Sequence, residues 1–75
     1  MKLINKDILQ EYGFIQDNSK SKNDYIVMTR DKVDIILKSD GMVWYSNMGI
    51  DYPLKDLAAL RKLYKELRNT DLNPL

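Results

Sequence analysis

The chain has 75 residues, so it can form only one small domain, which would bury roughly 60% of the surface of the unfolded chain. It contains no cysteine and no histidine, which excludes a disulfide framework, thiol chemistry and the usual ligands of structural zinc. A net charge of +1 provides no whole-molecule field favouring nucleic acid, anionic membranes or acidic substrates, and we expect extra burial to come from a second copy or a partner.

The first predicted element is a short helix over residues 6–12. Asn5 is a favoured residue at a helix N-cap, where its side chain can accept a hydrogen bond from the first turn. Gly13 is expected to end the helix in the left-handed conformation, and Phe14 can then pack back on Leu9. The start and stop signals therefore agree on one helix of about two turns.

Three strand-like runs follow a polar loop that we predict over residues 14–24. Short polar turns separate the runs, which predicts an antiparallel meander. The sequence also allows a fourth short strand before Pro53. The runs are "YIVMT" (25–29), "VDIILK" (33–38) and "MVWYSN" (42–47), and the fourth strand would cover 49–52.

The second predicted helix covers residues 54–68. Pro53 suits the first turn of a helix, because proline cannot donate to a strand ladder. Apolar residues then recur at helical spacing and should pack on the sheet, while the tail is expected to fray. The stripe consists of Leu57, Leu60, Leu63, Tyr64 and Leu67.

The predicted fold class is therefore α+β, with a short N-terminal helix, a three- to four-stranded antiparallel meander and a C-terminal amphipathic helix. We predict one small domain over residues 1–75. Its segments are the N-terminal helix (1–13), the loop (14–24), the antiparallel sheet (25–52), the C-terminal helix (53–68) and the tail (69–75).

The hairpin over residues 33–49 places apolar residues on both faces of the sheet, although a half-buried strand should alternate. If Ser-Asp-Gly forms a three-residue loop with its glycine left-handed, Ile36 lies beside Trp44. If only Asp and Gly form the turn, Ile36 faces Tyr45. Both registers leave an aromatic side chain next to Ile36 on a second apolar face.

Something outside the main core is predicted to cover this second face. A two-turn helix spans roughly 11 Å, which is too short to shield three strands. A two-fold homodimer or a host protein would cover it, with Trp44 as an anchor, since tryptophan is enriched in binding hot spots. The competing interpretation is that Trp44 is ordinary core. The predicted partner-binding residues are Trp44, Ile36, Met42, Tyr45 and Met28.

Signals for catalysis are poor in this sequence. Without histidine or cysteine, only carboxylates, lysines, tyrosines and hydroxyls remain as reactive groups. The aspartates are scattered and are interpreted as turn or cap residues, and the glycines form no phosphate-binding loop. We therefore predict that the protein is not an enzyme and needs no metal or cofactor.

The predicted second helix carries a row of basic residues that supports an alternative function. Basic side chains on one face could bind phosphates, as in a nucleic-acid-binding accessory protein. The same pattern is also typical of a solvated face whose long side chains shield the leucine stripe. The residues are Arg61, Lys62, Lys65 and Arg68, with Lys55 nearby.

The run "YPLKDLAALRKLY" (52–64) resembles a pattern in short uncharacterised proteins of gut-type bacteria and their phages, and "ILQEYGF" (8–14) resembles the helix that opens them. The matching positions are Pro53, Leu54, Lys55, Leu57, Leu60, Leu63 and Tyr64. The chain departs from that pattern at Ala58, Ala59, Arg61 and Lys62, where His-Glu and Gln-Asn pairs are often found. The resemblance implies no catalytic activity. It implies a phage or mobile-element origin, where small proteins often block a host (defence) protein.

No apolar run approaches the roughly 18 residues of a membrane span. The start "MKLINKD" becomes polar too early for a signal peptide. We therefore expect a cytoplasmic protein with no membrane partner.

Overall fold

The computed structural model describes residues 3–75 and shows an α+β arrangement of one antiparallel sheet and two helices. The elements are α1 (Lys6–Glu11), β1 (Ile15–Gln16), β2 (Tyr25–Arg30), β3 (Val33–Lys38), β4 (Val43–Asn47), β5 (Ile50–Pro53) and α2 (Leu57–Arg68). The α+β class is confirmed, but the sheet has five strands rather than three or four. The extra strand, β1, lies inside the predicted loop 14–24. Residues 1–2 of the predicted N-terminal segment lie outside the described residues.

Local capping defines α1. The Asn5 side chain accepts a hydrogen bond from a first-turn N–H at 2.9 Å. At the other end Gly13 adopts φ +85°, and the Phe14 N–H donates to the Leu9 carbonyl at 2.9 Å. This pairing is typical of a helix closed by a left-handed residue. The predicted caps are confirmed, and α1 ends one residue before the predicted boundary.

The sheet is a meander in which each strand pairs with its neighbours in the chain, in the order β1-β2-β3-β4-β5. The β3–β4 connection is the three-residue loop with Gly41 at φ +89°, and it pairs Ile36 with Trp44. The first of the two predicted registers is therefore confirmed. The other two tight turns have two central residues with positive φ, as right-twisted hairpins require. These residues are Asp31 and Lys32 after β2, and Met48 and Gly49 after β4.

Both helices pack against the same face of the sheet. The core residues contributed by the strands occur at every second position and pair with one another across the sheet, so they all lie on one face. The core residues of α1 and α2 pack against that face. Leu67 was predicted to belong to the buried stripe of α2, but it is 42% exposed because it lies in the last turn. The core consists of Ile4, Leu9, Tyr12, Phe14, Met28, Val33, Ile35, Val43, Tyr45, Leu57, Leu60, Tyr64 and Leu72.

The connection between sheet and helix differs from the prediction. Pro53 is the last residue of the edge strand β5, where its missing N–H is tolerated, rather than the first turn of the helix. Asp56 is the N-cap, and its side chain accepts from the Ala59 N–H at 2.9 Å. The helix therefore begins at Leu57, three residues later than predicted. Within residues 3–75, no helix combines the length and apolar character needed to cross a membrane.

The tail after α2 packs against the domain, although the sequence predicted fraying. Asn69 ends α2 in the left-handed conformation and turns the chain back. Leu72 is then only 1% exposed and belongs to the core. The Leu75 N–H donates to the Glu11 carbonyl at 2.8 Å, which ties the C-terminal end to α1.

Candidate functional site

The candidate site is the face of the sheet opposite the helices, here called the open face. Four residues that pair across neighbouring strands form its central row, and none of them belongs to the main core. They are Val27, Ile36, Trp44 and Pro53. Val27 is buried, Ile36 and Trp44 are half-buried, and Pro53 is exposed. The central row therefore forms an apolar strip that neither helix covers.

The segment between β1 and β2 shields one end of the open face. Its Ser21 hydroxyl accepts from the Val27 N–H at 3.0 Å, which holds the segment along β2. From there Lys20 reaches Asp34 on β3 at 2.9 Å, and this hydrogen bond raises the pKa of the lysine. A cavity of about 160 Å³ lies beneath this ion pair, next to Ile36. The shielding reaches β3, so β4 and β5 form the most accessible part of the open face.

Trp44 lies near the middle of this accessible part. The ammonium group of Lys38 sits over the indole ring, 5.0 Å from its centroid. The indole Nε1–H is buried and has no acceptor among residues 3–75. Leaving a buried donor unpaired costs about 1–3 kcal/mol. Trp44 is therefore an aromatic side chain with unused hydrogen-bonding capacity at a partly open site.

Opposite charges flank the central row at its two sides. On one side, the strand register aligns Asp34, Ser46 and Asp51 across β3, β4 and β5. On the other side is Lys38, and Lys55 follows two residues after Pro53 in the same alternation. The ladder continues far enough to support this placement, because the residue after Pro53 donates its N–H to β4 at 2.9 Å. The open face thus has an acidic side, on which Lys20 pairs with Asp34 while Asp51 forms no ion pair among residues 3–75, and a basic side.

Two of the five predicted partner-binding residues lie elsewhere. Met28 and Tyr45 are 0% and 7% exposed in the core, because both share the helix-covered face with Ile35. Met42 follows the same alternation as Lys38 and Lys55 at the margin of the open face, where its carbonyl accepts from the Lys38 N–H and its side chain lines a depression of about 370 Å³. The assignment of Met28 and Tyr45 to an accessible surface is therefore wrong. Ile36 and Trp44 are the predicted residues that the structure brings together on the open face.

The free edge of β5 is poorly suited to adding another strand. Antiparallel pairing directs the backbone groups of alternate residues towards the neighbouring strand or away from it. The N–H bond from Leu54 to the Val43 carbonyl fixes this pattern, so Asp51 and Pro53 direct their backbone groups outward. Pro53 has no N–H, and a charged side chain at an edge also discourages pairing. Binding through the face is therefore more favourable than binding through this edge.

A second polar cluster, which the sequence did not indicate, joins the β2–β3 turn to α2. The Tyr64 hydroxyl donates to Asp31, and the Arg30 guanidinium donates to the Tyr12 carbonyl. Arg30 also lies 5.6 Å from the centroid of the Tyr64 ring. The hydrogen bond from Tyr64 holds the pKa of Asp31 below its ordinary value, while burial raises the pKa of Tyr64. These contacts fix a turn against a helix and leave no reactive group free.

The basic residues of α2 are exposed, but acidic neighbours balance some of their charge. Lys65 lies 3.3 Å from Asp71, and the charge of Arg68 helps to lower the pKa of Asp31. Arg61 and Lys62 are exposed on the same helix. A phosphate-binding strip would therefore have to compete with these carboxylates. The nucleic-acid interpretation stays a prediction from the sequence.

Comparison with protein-family models, with curated proteins and with solved structures gives no significant match. Within residues 3–75, no group of three or more acidic side chains is arranged to hold a metal ion. The open face combines an apolar strip, one tryptophan and flanking charges, and this combination is suited to binding another protein surface.

Proposed function

We propose that this protein is a small non-catalytic protein-binding module that docks on its partner through the open face. In its most concrete form, it is a phage or mobile-element inhibitor that blocks a host (defence) protein. The observation that carries the proposal is the central row of the open face, which neither helix covers. The resemblance of residues 52–64 to short phage and bacterial proteins supports the inhibitor role.

Trp44 is the proposed anchor of this docking surface. Interface hot spots are enriched in tryptophan, and they lie in patches that become fully desolvated on binding. The Nε1–H is buried and lacks an acceptor among residues 3–75, so a carbonyl or carboxylate of the partner would pair with it after the indole ring has turned outward. Lys38 would have to leave the indole ring for the partner to reach it, so binding should change the environment of both side chains.

The chemistry of the open face also favours binding over catalysis. Lys20 and Asp34 satisfy each other in an ion pair, and Lys38 lies over an indole ring. General acid-base or nucleophilic catalysis requires a reactive group with a neighbouring activating group and access to substrate. The carboxylates and amines of the open face instead flank an apolar strip, as polar groups flank the centre of many protein interfaces.

The proposal is tested by comparing capture of host protein by the wild type and by open-face variants. Tagged wild type, Trp44→Ala and Ile36→Lys are incubated with extract of the native host, and the captured protein is purified for calorimetric titration. Loss of a tryptophan anchor should weaken binding by about 30-fold or more. Met48→Ser is the matched control, because Met48 is 94% exposed in the β4–β5 turn, and it should bind as the wild type does.

Unchanged affinity of both open-face variants would exclude the open face as the docking surface. Recovery of DNA or RNA instead of protein would favour the alternative function, provided that replacing Arg61, Lys65 and Arg68 by glutamine abolishes the recovery. Such binding should also weaken steeply with salt, because it would release counterions.

A further inference from the structure

We infer that the open face also binds a second copy of this chain, in a two-fold dimer whose axis runs along the central row. The inference rests on the proposed function in one respect, namely that the open face is a docking surface. It adds the identity of one occupant and the orientation in which that occupant binds. The evidence is the distribution of charge on the two sides of the row.

The charges are segregated by side, which is the condition that a self-complementary surface needs. Asp34 and Asp51 lie on one side of the central row, where Lys20 pairs with Asp34 and leaves Asp51 as the available charge, and Lys38 lies on the other side with Lys55, which follows by the continued alternation. The exposed Asp51 and Lys55 take part in no ion pair among residues 3–75. Asp40 also lies near the basic side, but its carboxylate accepts from a backbone N–H within its own turn.

Symmetry then selects one orientation of the second copy. In a face-to-face dimer the two-fold axis lies in the plane of the interface. A residue on the axis then contacts the same residue of the second copy, and a residue to one side of the axis contacts the residues on the other side of it in the second copy. An axis along the central row brings the accessible β4–β5 halves of the two rows together, while the β2–β3 halves, shielded by the segment that carries Lys20 and Ser21, diverge. It places Asp51 of each chain over Lys55 of the other. An axis along the strands would place acid over acid and base over base. The first orientation is therefore favoured electrostatically.

The backbone geometry supports face-to-face packing of this kind. Rotation about the central row turns the strands end for end, so the two sheets remain aligned, and aligned sheets pack about 10 Å apart at roughly 30°. Strand addition at β5 is unfavourable because of Pro53 and Asp51. The shared area is limited to part of one small sheet, so we expect a weak dimer of the class that buries less than about 1,200 Å² in total. A dimer of this form would cover Trp44 and compete with a host partner.

The test uses two variants that should each repel themselves but attract each other. The acidic variant is Lys38→Glu with Lys55→Glu, and the basic variant is Asp51→Lys, which leaves the Lys20–Asp34 ion pair intact. Sedimentation measures mass from about 1 μM to 1 mM. The wild type should dimerise with rising concentration, and each variant alone should dimerise at least about 100-fold more weakly, since like charges would then face each other. A mixture of the two variants should form a one-to-one heterodimer.

The control is Arg61→Glu with Lys62→Glu, which changes the net charge as the acidic variant does but on the helical side of the molecule. It should dimerise as the wild type does, and it should form no heterodimer with the basic variant, which excludes attraction by net charge alone. Circular dichroism checks that every variant is folded. A monomeric wild type, or failure of the two variants to pair, would overturn the inference. Loss of host-protein binding by Trp44→Ala in a strictly monomeric protein would still support the proposed function, so the two failures are distinguishable.

Discussion

At the scale of single residues, the contact between Tyr64 and Asp31 joins a strained turn to the helix above it. Asp31 and its neighbour Lys32 both have positive φ, which is uncommon for residues other than glycine. A hydrogen bond from a buried tyrosine fixes the position of Asp31 and offsets part of that strain. Arg30 adds a second contact by lying over the Tyr64 ring. Contacts between the β2–β3 turn and α2, which lie 33 residues apart at Asp31 and Tyr64, therefore define one end of the sheet.

Removal of the Tyr64 hydroxyl should destabilise the protein in a pH-dependent way. Folding lowers the pKa of Asp31, chiefly through this hydrogen bond, so the stabilisation is fully present above the pKa of an unfolded aspartate, about 3.9. It is lost as the pH falls through the lower pKa of the folded state. Tyr64→Phe should therefore lower the Tm at pH 7 by a few degrees, and this difference should shrink near pH 2.

The matched control for this prediction is Tyr52→Phe, because Tyr52 lies on the edge strand and stacks on Tyr45 through its ring rather than through its hydroxyl. Thermal unfolding followed by circular dichroism at both pH values gives the comparison. An effect of Tyr64→Phe that persists undiminished at low pH would show that Asp31 is not the acceptor that matters.

At the scale of elements, the sequence predicted which helices and strands exist better than it predicted where each one begins and ends. Caps and periodicity are local signals, so α1 and the end of α2 were predicted within about one residue. Pro53 gave a misleading helix start, because proline suits both a first helical turn and an edge strand, and only pairing with β4 distinguishes the two. The two-residue strand β1 has no periodicity to detect, since it exists only through its pairing with β2.

Truncation of two leucines on α2 should have very different effects. Leu60 is fully buried against the sheet, whereas Leu67 is 42% exposed in the last turn. Leu60→Ala should lower the free energy of unfolding by about 2–5 kcal/mol, because it removes buried methyl groups and leaves a cavity. Leu67→Ala should cost less than about 1 kcal/mol. Urea unfolding measures both, and equal losses would mean that the helix presents a different face to the sheet.

At the scale of the whole molecule, the sequence showed that both sheet faces carry apolar residues but not which face the helices cover. The register was reduced to two alternatives, and the left-handed Gly41 distinguishes them. Placing Tyr45 and Met28 in the core required knowledge of where α1 and α2 pack, which depends on contacts across the chain. The sequence left Ile36 beside either Trp44 or Tyr45, and the three-residue loop of the structure places it beside Trp44.

The C-terminal tail should contribute to global stability despite its irregular conformation. Leu72 is buried in the core, while Leu75 is 91% exposed. We expect Leu72→Ala to lower the free energy of unfolding by about 2–4 kcal/mol and Leu75→Ala to leave it nearly unchanged. Chemical unfolding of the two variants provides the comparison. If Leu72→Ala left the free energy of unfolding unchanged, the tail would be frayed, as the sequence predicts.

The nearest-neighbour order of the five strands has a consequence for how quickly the protein becomes functional. The three hairpins from β2 to β5 each close a loop of only a few residues, so little chain entropy is lost before strand contacts form, and folding rates rise as contacts become more local. The hydrogen bond from the Leu75 N–H to the Glu11 carbonyl instead joins two residues far apart in the sequence, so it forms late, once α1 and the tail have been brought together. The local hairpins can therefore form first, and packing of the tail through Leu72 and the Leu75–Glu11 hydrogen bond closes the core last.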